Sequence, residues 1–118
     1  MPHIPDKWYA FAVAQTYYEE LISAGVQIYE YTPGFVHAKV FVSDNDTATV
    51  GTINLDYRSL YHHFECGTFI YNNPVVWEIE RDFQNTLKAC QKITMLDVKA
   101  RRIGMKMVGR VLRLIAPL

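Results

Sequence analysis

Two rhythms of apolar and polar positions divide this chain. From Lys7 to Ala24 the apolar residues Trp8, Phe11, Ala12, Leu21 and Ile22 fall on one broad helical face, with Glu19 and Glu20 off it. Asp6 is placed to cap that helix and Gly25 to end it. Its tyrosines Tyr9, Tyr17 and Tyr18 are expected to be partly buried. The rhythm then shortens to that of strands: Val26 to Tyr31, Phe35 to Ser43 after the turn Thr32-Pro33-Gly34, Thr47 to Val50 after the turn Asp44-Asn45-Asp46, and Phe64 to Tyr71. Gly51 is expected to allow close backbone approach, and Leu55 to His63 to be a loop or a short helical piece. After Asn72-Asn73-Pro74 the helical period returns, with Val75, Val76, Ile79, Phe83, Leu87 and Cys90 as the core-facing stripe. Glu78 and Glu80 lie early in that helix and Lys88 and Lys92 late, matching its dipole. The pattern predicts an α/β fold, a mixed β-sheet flanked by helices, in one domain spanning 1–118.

Charge changes the picture at one end. The whole chain is formally neutral, which argues against a general nucleic-acid binder. Residues 1–98 carry 6 basic and 12 acidic residues, whereas 99–118 carry Lys99, Arg101, Arg102, Lys106, Arg110 and Arg113 and no acid. A basic, moderately amphipathic helical segment is therefore expected over about 97–118, with Met105, Val108, Val111, Leu112 and Ile115 as its apolar face. It reads either as an ordinary docked C-terminal helix or as a surface helix near anionic lipid. Cys66 and Cys90 have no metal-like spacing and read as reduced core thiols. No apolar run is long enough to span a bilayer, and the N-terminus lacks the shape of a signal peptide.

The densest chemistry is the stretch HAKVFVSDNDTATVGTIN, from His37 to Asn54. His37-x-Lys39 is followed by Asp44 and then by Gly51-Thr52-x-Asn54. The His-x-Lys-x4-Asp part alone arises by chance at on the order of one start position in ten thousand. On a strand, His37 and Lys39 project from the same face, so an imidazole and a permanent cation meet a phosphodiester together. Asp44 is out of step with that face and is expected at the strand end, tying the turn. Thr52 and Asn54 can offer a hydroxyl and an amide to phosphate oxygens.

This pattern resembles the HKD motif of the phospholipase D superfamily. The following text, Asn54-Leu55-Asp56-Tyr57-Arg58-Ser59-Leu60 and then Phe64-Glu65, resembles bacterial cardiolipin synthase. The resemblance extends over most of the chain and corresponds to the C-terminal half of a catalytic unit. It implies one half of a duplicated fold in which two HKD motifs meet at one site, without the first half or the membrane helices. It implies catalytic roles within the motif His37, Lys39 and Asp44, with Thr52 and Asn54 lining the phosphate pocket. It also implies that Glu65 hydrogen-bonds the second ring nitrogen of His37, fixing its tautomer. Asp56 and Arg58 are expected to pair or to hold their loop. His62 and His63 lack the further ligands a metal site needs, and the superfamily chemistry uses neither metal nor cofactor.

The reaction implied is phosphatidyl transfer between two phosphatidylglycerol molecules, giving cardiolipin and glycerol through a phosphohistidine. His37 is then the general acid/base or the nucleophile. The implied partners are phosphatidylglycerol, an anionic membrane surface, and either the missing N-terminal HKD half or a second copy as a homodimer, with no nucleic acid. The full-length enzyme is expected at the cytoplasmic face of the cell membrane, and this piece alone is expected to be soluble. Two other readings stand beside it: a single-motif phosphodiesterase or nuclease active as a homodimer, and a non-catalytic phospholipid-binding domain.

Overall fold

The computed structural model describes residues 1–101 and 103–115. In chain order the elements are α1 (Trp8–Thr16), α2 (Tyr18–Ser23), β1 (Ile28–Tyr31), β2 (Lys39–Ser43), β3 (Thr47–Gly51), α3 (Tyr57–Tyr61), β4 (Gly67–Tyr71), α4 (Val75–Leu87), β5 (Cys90–Ile93), α5 (Met95–Ala100) and α6 (Ile103–Ile115). The class is α/β, as the pattern predicts. The chain forms two compact units, one of residues 1–35 with 90–118 and the other of residues 36–89.

In the first unit, β1 pairs antiparallel with β5, from Ile28 opposite Ile93 to Tyr31 opposite Cys90. Pro2 makes an isolated parallel bridge to Tyr31 outside these strands, and both sheets are antiparallel rather than the one mixed sheet expected. Tyr18, Ile28, Ile93 and Val98 are buried together, with Ile22 packed against them. The single helix expected over 7–24 is two. Thr16 turns its hydroxyl back to Val13 O at 2.6 Å, and Tyr17 N bonds Ala14 O rather than the carbonyl four residues back. The break rotates Tyr18 inward. The expected cap also shifts: the N-cap is Lys7, with no side-chain cap bond, so Asp6 does not start this helix. Gly25 ends α2 with φ +91°, as expected. Trp8 and Leu21, expected on the buried face, are exposed; Ala12 is buried as expected, and Val13 is buried beside it.

The helix after Pro74 ends at Leu87, and Cys90 opens β5 instead of closing the apolar stripe. Thr94 and Asp97 form a capping box that starts α5. The Thr94 hydroxyl, and then the Thr94 backbone N–H, hold the Asp97 carboxyl below its usual range.

Among the described charged residues of the first unit, Glu30 is the buried one, at 1% exposure. It accepts from Arg101 Nη2 at 2.8 Å and from Tyr18 OH at 3.2 Å, and lies 2.9 Å from His3 Nδ1. Burial alone would raise its pKa. The hydrogen bonds of Arg101 and His3, the Arg101 charge and the Tyr18 hydroxyl outweigh burial and hold it below the ordinary carboxylate value. Burial, then the neighbouring Glu30 charge, push the Tyr18 phenol upward.

Helix α6 packs on α1 through Gly109. A Cβ there would sit 2.5 Å from Ala12 O and 2.8 Å from Thr16 Cγ2. Gly109→Ala should therefore weaken this packing by about 1–3 kcal/mol, the usual range for overpacking. Urea denaturation of the chain measures it, and an unchanged midpoint would refute the contact. Of the apolar face expected for this segment, Leu112 is half-buried while Val108 and Val111 are exposed, and the Met105 and Ile115 side chains lie outside the described residues.

In the second unit, β2, β3 and β4 form an antiparallel meander. The β2–β3 turn places Asp44 at φ 53° and Asn45 at φ 59°. Aspartate and asparagine are the residues that best tolerate this left-handed region after glycine. Val42, Ala48 and Ile70 share a register and one face. Helix α4 packs on β2 and β3, and its Val76 is fully buried, like Ala48. Phe41, Phe69 and Tyr71 alternate onto the opposite face and are exposed.

Candidate active site

All the motif residues lie on the second unit. Strand β2 begins at Lys39, so His37 precedes the ladder by two residues instead of sitting within it as expected. The cause is at the partner strand. Lys39 pairs with Gly51, the last residue of β3, and Thr52 then leaves the ladder to bond Cys66 O through its N–H at 2.9 Å. No β3 residue remains opposite His37. Lys39 still meets it: its ammonium donates to the His37 backbone carbonyl at 2.8 Å. The His37 side chain is exposed.

Gly51 makes the close approach the sequence suggested. A side chain at this position would collide with the Cys66 carbonyl, and a Cβ would lie 2.6 Å from Gly67 Cα. The two glycines are register partners, so β3 and β4 meet where the motif loop leaves the sheet.

Thr52 ties that loop to the segment before β4. Its hydroxyl accepts from Cys66 N at 3.1 Å and is within donating reach of Glu65 Oε2 and of Cys66 O, the latter at 3.3 Å. A hydroxyl has one proton, and the much closer carboxylate takes it. Cys66 itself is exposed, which corrects its reading as a core thiol; neither cysteine is in a disulfide.

Glu65 also faces His63, with Oε1 3.9 Å from Nδ1. Arg58 Nη2 lies 3.4 Å from His63 Nε2. Arginine only donates, so in this contact Nε2 of His63 faces the guanidinium and Nδ1 faces Glu65. Sequence reasoning missed His63 in this cluster. The available signal was its spacing: it stands two residues before Glu65, and in an extended segment such residues share a side.

Asn54 and Asp56 organise the next turn. Asp56 is the N-cap of α3, accepting from Ser59 N at 2.8 Å and from Ser59 Oγ at 3.3 Å. Asn54 Nδ2 reaches the same buried Ser59 hydroxyl at 3.4 Å. Asp56 thus holds the loop, while Arg58 turns to His63. Asp44 sits in the β2–β3 turn and accepts from Ser43 Oγ at 2.9 Å, in the turn-tying place expected of it. The structure therefore joins Thr52 to Glu65, ties Lys39 to the His37 backbone, and directs Asn54 and Asp44 into their own turns.

Chemically, this unit carries an ammonium at the start of β2, an exposed imidazole two residues before it, and a Thr52 hydroxyl bonded to the Glu65 carboxylate. Among the described residues, no group of three or more His, Cys, Asp or Glu is arranged to hold a metal ion. No helix of the described residues is long and apolar enough to cross a membrane.

Comparison with known proteins adds the family. The chain is 53% identical over 118 residues to an uncharacterized protein of Streptococcus mutans, covering 26% of that protein. It is 38% identical to cardiolipin synthase 2 of Bacillus anthracis and 39% identical to cardiolipin synthase of Clostridium perfringens, in both cases over the whole chain. It covers 23% and 25% of those two proteins, so the chain spans about a quarter of the length of the curated relatives it matches. No solved structure matches. The family described as cardiolipin synthase, PLD-like domain, matches residues 2–87, well over half of the chain, and the chain belongs to that family.

Proposed function

We propose that this chain supplies one of two HKD motifs to a phosphatidyltransferase that makes cardiolipin and glycerol from two phosphatidylglycerol molecules. The observation that carries the reading is the whole-chain similarity to cardiolipin synthases, together with His37, Lys39, Thr52, Asn54 and Glu65 all lying on one compact unit.

In the first step, a histidine nitrogen attacks the phosphorus of one phosphatidylglycerol. A P–N bond forms, the bond from phosphorus to the headgroup glycerol oxygen breaks, and the second histidine protonates the leaving alkoxide. That histidine then takes the proton from a headgroup hydroxyl of the second phosphatidylglycerol. The freed oxygen attacks phosphorus, the P–N bond breaks, and cardiolipin leaves. His37 is the acid/base of this scheme, and its counterpart in the other motif is the nucleophile. Lys39 places a positive charge beside the pentacoordinate phosphorus, and Thr52 and Asn54 offer donors to its oxygens. Glu65 orients the His37 imidazole through its second nitrogen and steadies the imidazolium. His63 and Thr52 in turn hold Glu65.

The test is a chimera in which this chain replaces the matching segment of the Clostridium perfringens cardiolipin synthase. Supplied with phosphatidylglycerol vesicles, it should yield one glycerol for each cardiolipin, read by mass spectrometry. Release of phosphatidic acid without cardiolipin would overturn transfer in favour of hydrolysis. Steady cleavage of a soluble phosphodiester by the isolated chain would overturn the need for a second motif from elsewhere.

A further inference from the structure

We infer that α6 is a membrane-contacting helix whose outward stripe, Met107, Val108, Val111 and Leu114, enters an anionic lipid surface while its inward side stays docked on α1. The helix has two distinct sides. Gly109 lies against Ala12 and Thr16, Leu112 is half-buried, and the Arg113 guanidinium stacks 3.9 Å over the Tyr17 ring. At about 100° per residue, Met107, Val111 and Leu114 fall within roughly 60° of one another, on the side opposite Gly109. All three are exposed, as is Val108 beside them, and Leu114 reaches 88% exposure. Docking on α1 therefore leaves a second apolar stripe unpartnered along the same helix.

The charge around the stripe names its occupant. Residues 99–118 hold six cations and no acid, and all 12 acidic residues lie before them. Arg110 is exposed on the flank of the stripe, one residue before Val111. An apolar partner surface on a protein would be served by the stripe alone. Of these cations Arg101 is held by Glu30 and Arg113 lies over Tyr17, which leaves Arg110 as the described cation on the flank of the stripe. An acid-free, cation-rich segment that carries an apolar stripe matches a surface that is apolar below and anionic above, with aliphatic side chains in the acyl boundary and the Arg110 guanidinium on lipid phosphate. The inference deepens the proposed function by naming the face that meets the membrane, but it does not depend on the chemistry of His37.

The experiment is flotation of the purified chain with two kinds of vesicle, one of equal parts phosphatidylglycerol and phosphatidylcholine, the other of phosphatidylcholine alone. The chain should float with the first, with binding weakened by added salt, and remain unbound to the second. The Val111→Asp/Leu114→Asp double variant changes only exposed positions. It should keep the thermal midpoint of the parent and lose at least about tenfold in partitioning, since charges replace aliphatic groups at the lipid boundary. Leu114→Gln gives a milder second test of the same stripe. His37→Ala should bind like the parent, which separates failure of this inference from failure of the proposed chemistry. Equal binding to both vesicles, or unchanged partitioning of both stripe variants, would overturn the inference. So would a dimer in solution that the double variant abolishes while vesicles fail to bind, since a second copy would then be the occupant.

Discussion

His37→Ala should lower phosphatidyl transfer by the chimeric synthase by at least about 10³-fold, because under the proposed scheme one position would supply both the protonation of the leaving glycerol and the later deprotonation of the acceptor. The size of the loss does not by itself assign the role, but the leaving group does. An activated phosphodiester, such as one that expels nitrophenolate, needs no acid at the leaving oxygen. If His37 is the acid/base, the variant still expels nitrophenolate in a single turnover and retains the labelled phosphoryl group on the other histidine. If His37 is the nucleophile, neither the burst nor the label appears. Turnover of phosphatidylglycerol within about tenfold of the parent would end the proposal for this residue. Lys39 has a second part to play. Its ammonium already bonds the His37 backbone carbonyl, so Lys39→Met should disturb the placement of His37 as well as the charge proposed at phosphorus.

How far the site could be read from the sequence depended on whether the signal was local. The β2–β3 hairpin was legible because Asp44-Asn45-Asp46 is a turn on composition alone, and the positive φ values of Asp44 and Asn45 are what such residues accommodate. Gly51 was legible for a similar reason, since a glycine within a strand marks a backbone that comes close to another. The position of His37 was not. Its own residues favour a strand, and only the end of β3 at Gly51, with Thr52 turning toward Cys66, leaves it outside the ladder. Strand β5 was missed because four residues with polar Gln91 and Lys92 at the centre give no alternation to read, and Cys90 happened to continue the period of α4. The split of α6 into a docked side and an outward stripe depends on Gly109 meeting α1, which the sequence of α6 alone does not show. The Glu30 cluster was also invisible. Its partners lie 12, 27 and 71 residues away, and a lone glutamate in a strand reads as a surface residue.

That cluster carries the largest effect on stability expected in the chain. Arg101→Ala should cost about 3–5 kcal/mol, because it leaves the Glu30 carboxylate buried without its strongest partner. Against a typical domain stability of about 5–15 kcal/mol, that is a large share. Glu30→Gln should cost a similar amount from the other side, since the Arg101 Nη1 nitrogen is already buried without a partner among the described residues and Nη2 would lose its charged acceptor. Replacing both by methionine should cost less than either single change, because no charge is then left buried. Acid separates the contribution of Glu30 from packing. Its carboxyl is held below 4.5 in the folded chain, so the ionised form stabilises the fold fully above that value and the benefit is lost as pH falls through the folded pKa. The groups facing it are His3, Tyr18 and Arg101, of which Arg101 keeps its charge throughout. Urea denaturation should therefore show the parent losing stability as the medium is acidified below about pH 4.5, with a shallower loss for Glu30→Gln over the same range. An Arg101→Ala midpoint at neutral pH within about 1 kcal/mol of the parent would mean that Glu30 is solvated or protonated in the folded chain, and the cluster would lose its role as the lock between β1 and the end of α5.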